Sequence, residues 1–255
     1  KKTPLIWRFW LNRLATLDYK PKKQGDKINV AISRLHQTGI AFIPFSDLFE
    51  NIDFEEFRKA VSKEINLFEK DGNTHNDELK SYFDFILGLH PKFEKDSIWN
   101  KVASHPNLQA LSDAYFRMKG TKMRYYNIWR HRPFSNAPMG SQLWHRDRED
   151  LKILKVFIYL EDVEEQTGPF YYAPGTQLGG SVKNNPETYK EADGTNRTTD
   201  EMMEKVVPRE KWISAIGKKG TVVLADTHGY HKGGYVKEGE RLLFTCMYVS
   251  PACGR

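Results

Sequence analysis

The sequence predicts a mainly β domain, a many-stranded sandwich or barrel, with helices at its flanks. Three observations point there. From about residue 121 onward, "TKMRYYNIWRHR", "LKILKVFIYL", "GPFYYAPG", "KKGTVVLAD" and "ERLLFTCMYVS" are aromatic and β-branched runs divided by Gly, Pro and charged turns. The preceding residues carry helical periodicity instead. The length, 255 residues, suits one sizeable domain with a full core or two small ones, and no stretch demands a split.

Taken in order, residues 1–120 read as mostly helical support with an edge strand. "KINVAISRLHQTG" places Ile28, Ile32 and Leu35 on one stripe and stops at Gly39. "GIAFIPF" reads as a strand. "DFEEFRKAVSKEINLFEKDG" carries Phe54, Phe57, Val61, Ile65 and Phe68, with Asp53 as its cap and Gly72 as its stop. A helix-like run then follows "GNTHNDE", with Leu79, Phe83, Ile86 and Leu87 at helical intervals, and another helix follows His105-Pro106, with Leu108, Leu111 and Tyr115 inward. Residues 121–250 form the β core. A polar stretch from Gly179 to about Arg209 (180–209) interrupts it and reads as a lid or flexible insert.

Composition sets further limits. The longest apolar runs fall well short of the roughly 20 residues a bilayer span needs, and the basic start lacks the apolar core of a signal peptide. Cys246 and Cys253 are too few for a disulfide framework, and Cys246 sits in a strand-like run as a buried thiol would. The expectation is a soluble protein in a reducing, cytoplasmic compartment, with the sequon at Asn196 read as a plain polar loop. Net charge of +6 permits an anionic partner without identifying one, and no nucleic-acid module is recognisable.

The chemistry starts at "QLWHRDRED". His145 and Asp147, two apart on an extended chain, point to the same side and make a usable pair of metal ligands. Spacing alone is weak, since His75 and Asp77 share it in a segment that reads as helix-cap chemistry. Context separates them: the strand "GTVVLADT" runs into "HGYHKGG", which offers His228 or His231 as a third ligand. Two histidines and one carboxylate with open positions form the facial triad of non-haem Fe(II) oxygenases. Arg241, ten residues past His231, starts the next strand on the face of Leu243, Thr245 and Met247, where a guanidinium can grip a carboxylate; it favours His231 over His228.

The segment "WHRD…LKVFIYLEDVEEQTGPFYYAPGTQ…GKKGTVVLADTHGYHKGG…R" resembles the phytanoyl-CoA dioxygenase-like family of Fe(II)/2-oxoglutarate-dependent oxygenases, over about residues 121–250 and more faintly in "TGIAFIPFSDLF". The resemblance implies a double-stranded β-helix, a jelly-roll or cupin-like core, in one oxygenase domain over 1–255. It also implies iron bound by His145, Asp147 and His231, and Arg241 on the far carboxylate of 2-oxoglutarate. The implied reaction couples O2 and oxidative decarboxylation of 2-oxoglutarate, yielding succinate and CO2, to oxidation of an unactivated C–H bond, with ascorbate in support. The chain departs from the family in Thr167 before Gly168, in Gln177 where a His is common, and in Leu243 where some relatives carry a hydroxyl. Because Asp147 fills the position that halogenating relatives leave for chloride, the implied outcome is hydroxylation or a related oxidation.

Other residues keep two readings. Asn127, sharing a face with Met123, Tyr125 and Trp129, reads equally as a cosubstrate contact or a loop-capping amide. Lys152 and Lys155 read as exposed or rim positions, Tyr171 and Tyr172 as core and wall. Arg130, Arg132, Arg146 and Arg148 read as solvated charge, or as a hint of an anionic small-molecule substrate. The alternatives to a small-molecule hydroxylase are a macromolecule-directed oxygenase or demethylase, a non-catalytic metal- or ligand-binding barrel, and a hydrolytic zinc site using Asp226, His228 and His231, which lacks a general-base glutamate at helical spacing.

Overall fold

The alternating runs of the second half fold into two facing antiparallel sheets, and helices of the first half cover the outer side of the larger one. The computed structural model describes residues 5–70, 82–133 and 137–254. In chain order, α1 (Leu5–Leu17) and α2 (Asp26–Thr38) precede β1 (Ile40–Pro44), α3 (Phe45–Leu48), α4 (Phe54–Lys70) and β2 (Phe83–Phe85). Then come α5 (Ile98–Ala103), α6 (Pro106–Phe116), β3 (Lys122–His131), β4 (Ile153–Tyr159), β5 (Phe170–Tyr172), β6 (Tyr189–Lys190), β7 (Asn196–Arg197) and α7 (Asp200–Glu204). The chain closes with β8 (Ile213–Ala215), β9 (Thr221–Asp226), β10 (His231–Gly233) and β11 (Arg241–Val249).

The larger sheet has the order β1-β9-β4-β11-β3-β2 and the smaller β10-β5-β8. This is the jelly-roll, double-stranded β-helix core with flanking helices. Strand alternation sorts each strand of the larger sheet into two faces. On β11, Leu242, Phe244, Cys246 and Tyr248 join Val156 and Ile158 of β4, Val222 and Leu224 of β9 and the buried stripes of the helices in one apolar cluster. On the other face, Phe157, Tyr159, Val223 and Leu243 meet Phe170 and Tyr172 of the smaller sheet. The site lies between the sheets, on this second side.

The helices form where periodicity and caps agree. In α2, Ile28, Ala31 and Leu35 are buried, and the helix stops at Gly39, whose φ of 84° suits a residue without a side chain and whose amide donates to the Leu35 carbonyl. A Cβ at Gly39 would also collide with Tyr172. Asp53 caps α4 by accepting from the Glu56 amide at 2.7 Å. In α6, Leu108, Leu111 and Tyr115 face the core behind Pro106 at the amino end.

One element differs from expectation. Residues 83–85, part of the helix-like run, form strand β2, with Phe83 opposite His131 and Phe85 opposite Trp129. The competing force is non-local: β3 offers an edge, and buried Asp84 binds Arg130 at 3.0 Å and Arg132 at 2.8 Å. Gly72, His75, Asp77 and Leu79 lie outside the described residues.

Candidate active site

His145 and His231 are 86 residues apart in the chain yet sit side by side, because their backbones pair. The His145 amide donates to the His231 carbonyl at 2.9 Å and the His231 amide returns the bond at 3.0 Å, while the Asp147 amide donates to the Thr227 carbonyl at 2.9 Å. Ligand atoms of His145, Asp147 and His231 therefore lie within 4.8 Å of one another. His228 stays outside the cluster. Its backbone amide donates to Asp226 at 3.1 Å, and Asp226 is a structural carboxylate that also accepts from Tyr115 Oη at 2.5 Å.

The protonation of both imidazoles follows from their partners. His145 Nδ1 lies 2.8 Å from the Leu143 carbonyl and His231 Nδ1 3.0 Å from the Gly229 carbonyl. A carbonyl only accepts, so each Nδ1 carries the proton and each Nε2 presents a lone pair to the centre. Burial, with the neighbouring imidazole, holds His145 well below its ordinary pKa. Burial likewise lowers His231, to about 4, against the opposing pull of Asp147. Both rings are thus neutral donors near pH 7. Burial raises the Asp147 carboxyl, but its ion pair with Lys155 outweighs this and leaves it ionised.

Lys155 corrects the sequence reading. Expected at an exposed or rim position, its side chain is only 12% exposed, lines the cavity and ion-pairs with Asp147 Oδ2 at 2.7 Å. The cause is alternation on β4, which turns Lys155 inward with Phe157 and Tyr159. Lys152, by contrast, is partly buried, with its Nζ 4.6 Å from the Tyr115 ring.

Arg241 lines the same cavity and is 3% exposed. Among the described residues its Nε and Nη1 have no hydrogen-bond partner, and burial pulls its pKa down to about 10, leaving it charged at neutral pH. A buried guanidinium without a carboxylate is costly, and its fork matches a planar, bidentate acid. Leu243 stands beside it on the wall, so no hydroxyl is offered there. Ser141 lines the cavity instead, 2.9 Å from Tyr82 Oη. His131, opposite Arg241 in the strand register, is a further cavity residue that the sequence reading missed, together with Ser141.

Asn127 is not brought to this cavity. Its Nδ2 donates to the Gly88 carbonyl at 2.7 Å and its Oδ1 accepts from the Leu87 amide at 3.2 Å, the loop-capping arrangement. Nor do the four arginines converge on it. Arg130 and Arg132 hold Asp84, Arg146 donates to the Thr176 carbonyl at 2.8 Å and covers the Tyr230 ring, and Arg148 is exposed. Tyr172 is core and Tyr171 is partly buried wall. The 180–209 stretch packs onto the first ligand strand: Trp144 pairs with Thr198, its Nε1 donates to Asp200 at 2.7 Å, and Met203 and Val207 are buried beside it.

The donor set of two neutral imidazoles and one carboxylate suits Fe(II), and the Arg241 guanidinium, whose Nε and Nη1 have no partner among the described residues, suits a dicarboxylate. The sequence profile of the family described as Phytanoyl-CoA dioxygenase (PhyH) matches residues 42–239. A comparison with curated protein sequences returns no match. Among solved structures, the chain is similar to the epimerase SnoN in complex with Fe3+, alpha ketoglutarate and nogalamycin RO, at 14% identity and TM-score 0.59, covering 88% of this chain and 83% of that one. It is similar to AviO1 from Streptomyces viridochromogenes Tue57, at 17% identity and TM-score 0.58, covering 92% and 99%. The non-heme alpha ketoglutarate dependent carbocyclase SnoK from nogalamycin biosynthesis aligns at 16% identity and TM-score 0.57, covering 89% and 87%. At such identities the likeness speaks for the fold.

Proposed function

The chain belongs to the phytanoyl-CoA dioxygenase family, and on that premise we propose that it is an Fe(II)- and 2-oxoglutarate-dependent oxygenase that oxidises a C–H bond of a small molecule. The observation that carries this reading is the buried guanidinium of Arg241, with no carboxylate partner among the described residues, in the cavity that His145 and His231 of the ligand cluster also line. A metal-binding barrel without turnover has no use for that cation; a cosubstrate with a distal carboxylate does.

In this reading His145 and His231 bind iron through Nε2 and Asp147 through one oxygen, while Arg241 holds the far carboxylate of 2-oxoglutarate. Bound iron, with 2-oxoglutarate and O2, supplies oxidation of the substrate with release of succinate and CO2. The chain's own contribution is positional. The carbonyls of Leu143 and Gly229 fix both imidazoles in tautomer and orientation. Lys155 holds Asp147 by its second oxygen and keeps it ionised. Phe157, Phe170 and Trp129 dry the walls, which strengthens each electrostatic contact. The stretch 180–209 would act as a cover over the ligand strand rather than as a loose flap.

Hydroxylation is the outcome we favour, because Asp147 fills a coordination position that chloride would need. Solved structures of this fold carry the descriptions epimerase and carbocyclase, so ring closure and epimerisation are the outcomes to separate from it. Arg130, Arg132 and Arg146 hold other partners and Arg148 is exposed, so the arginine cluster gives an anionic substrate no support. The test is succinate release from 2-oxoglutarate under Fe(II), ascorbate and O2, first uncoupled and then across a small-molecule library. Release that is indifferent to iron would overturn the assignment, and a salt-steep affinity for oligonucleotides would favour the macromolecular alternative.

A further inference from the structure

Helix α1 is amphipathic the wrong way round. Its polar side faces the protein: Asn12 donates to Ser250 Oγ and accepts from the Ala252 amide, both at 3.1 Å, Arg8 approaches Asp150 at 3.5 Å, and the Ala15 carbonyl accepts from the Lys119 amide at 2.9 Å. Residues 8, 12 and 15 fall on one face at about 100° per residue. The opposite side carries Ile6, Trp7, Phe9, Trp10, Leu14 and Leu17, each between 52% and 70% exposed. Six large apolar side chains held outward on a helix whose other face is tied down exceed the scattered exposure that needs no explanation.

Charge indicates what covers this face. The first 24 residues hold seven of the 39 Lys and Arg and one of the 33 Asp and Glu; they carry +6, the whole formal net charge, and the remainder balances at 32 of each sign. Arg13 lies within the apolar face, and exposed Lys20, Lys22 and Lys23 follow the helix directly. A second copy seated here by two-fold symmetry would bring two such +6 segments together. An anionic surface would neutralise them. Tryptophan and phenylalanine beside lysine and arginine are also the side chains that suit a headgroup boundary. The helix precedes residue 42, where the family match begins.

We propose that α1 is an interfacial anchor: its outward apolar face enters the headgroup–acyl boundary of an anionic lipid surface, and Arg13, Lys20, Lys22 and Lys23 hold the headgroups. The helix lies in the plane of the surface and does not span it; no described helix is long and apolar enough to cross a membrane.

Co-sedimentation of the whole chain with phosphatidylcholine vesicles, with and without phosphatidylserine, tests this. Binding is expected to vesicles containing phosphatidylserine, to weaken steeply with added salt, and to be slight on phosphatidylcholine alone. The double variant W10E/L14E should lose it. The triple variant K20Q/K22Q/K23Q should weaken it by about fivefold per lysine, on the order of a hundredfold together. Both variants should keep the parent's unfolding temperature, since the replaced side chains are exposed. No sedimentation with either vesicle, or equal binding to both regardless of salt, overturns the proposal. So does a dimer in sedimentation velocity that W10E/L14E dissociates, which would assign the face to a second copy.

Discussion

The two faces of the larger sheet are built from the same strands and do opposite work. Toward the helices, Leu242, Phe244, Cys246 and Tyr248 of β11 are buried in an apolar cluster. Toward the smaller sheet, Arg241 shares a cavity with His145, Lys155 and His231. One face gains stability from apolar burial. The other buries charges at a cost that pairing only partly offsets. The jelly-roll thus tolerates a polar interior because its outer side already secures the fold.

The largest expected effect is on the inner face. Asp147→Ala should lower metal affinity and succinate release by at least about 100-fold, and should also destabilise the protein by leaving Lys155 buried and alone, by about 3–5 kcal/mol. The double variant D147A/K155M should regain most of that stability and none of the activity, read by denaturant unfolding beside succinate assays. Activity retained in D147A would remove Asp147 from the ligand set.

Phe244→Ala on the outer face should cost about 3–5 kcal/mol, because the ring is fully buried against Phe57, Trp99 and Tyr126. Metal affinity of the folded fraction should stay unchanged in a titration. A loss of affinity equal to the loss of stability would mean the two faces are coupled.

Arg241→Met should weaken 2-oxoglutarate binding by about 1.5–3 kcal/mol, the range of a hydrogen bond to a charged group, and leave metal affinity intact. Parallel titrations of the cosubstrate and of the metal separate the two. An unchanged affinity for 2-oxoglutarate would move the anchor elsewhere.

The smallest effect is a pH slope. Burial and then Arg241 hold His131 well below its ordinary pKa, and burial lowers His36 and His105 as well. In the unfolded chain these histidines take a proton near pH 6.5, while the folded chain resists it. Stability is therefore complete above about 6.5 and falls as pH drops through that value, by up to about 1.4 kcal/mol per pH unit for the buried His131 and by less for the half-buried His36 and His105, which solvent screens. Denaturant unfolding at pH 7.5, 6.5 and 5.5 should show the decline, and His131→Asn should lessen it while His145 and His231, also buried and neutral, keep their share; an equal slope in the variant would remove His131 from the account.

Much of this is legible in the sequence where the signal is local. The strands "LKILKVFIYL" and "RLLFTCMYVS", the stripes of α2, α4 and α6, the stop at Gly39 and the cap at Asp53 follow from periodicity and backbone preference, which neighbouring residues decide. Strand β2 departs from the helical expectation because Phe83, Ile86 and Leu87 satisfy helical spacing, while the pairing with β3 that overrules it comes from about 45 residues away. Lys155 was misread for a related reason: a lysine alternating with apolar residues marks the solvent side of an ordinary sheet, and here the inner side holds an acid instead.

By itself the sequence determined which segments extend and which coil, the order of His145, Asp147, His231 and Arg241, and the charge and apolar content of the first helix. Tertiary structure decided which face of each strand became cavity, that Asn127 serves a loop and Lys155 serves Asp147, and that α1 turns its apolar side outward. The division has one physical origin. Alternation and capping are fixed between residues close in the chain, whereas the environment of a side chain is set by whatever the strand register and helix docking bring opposite it.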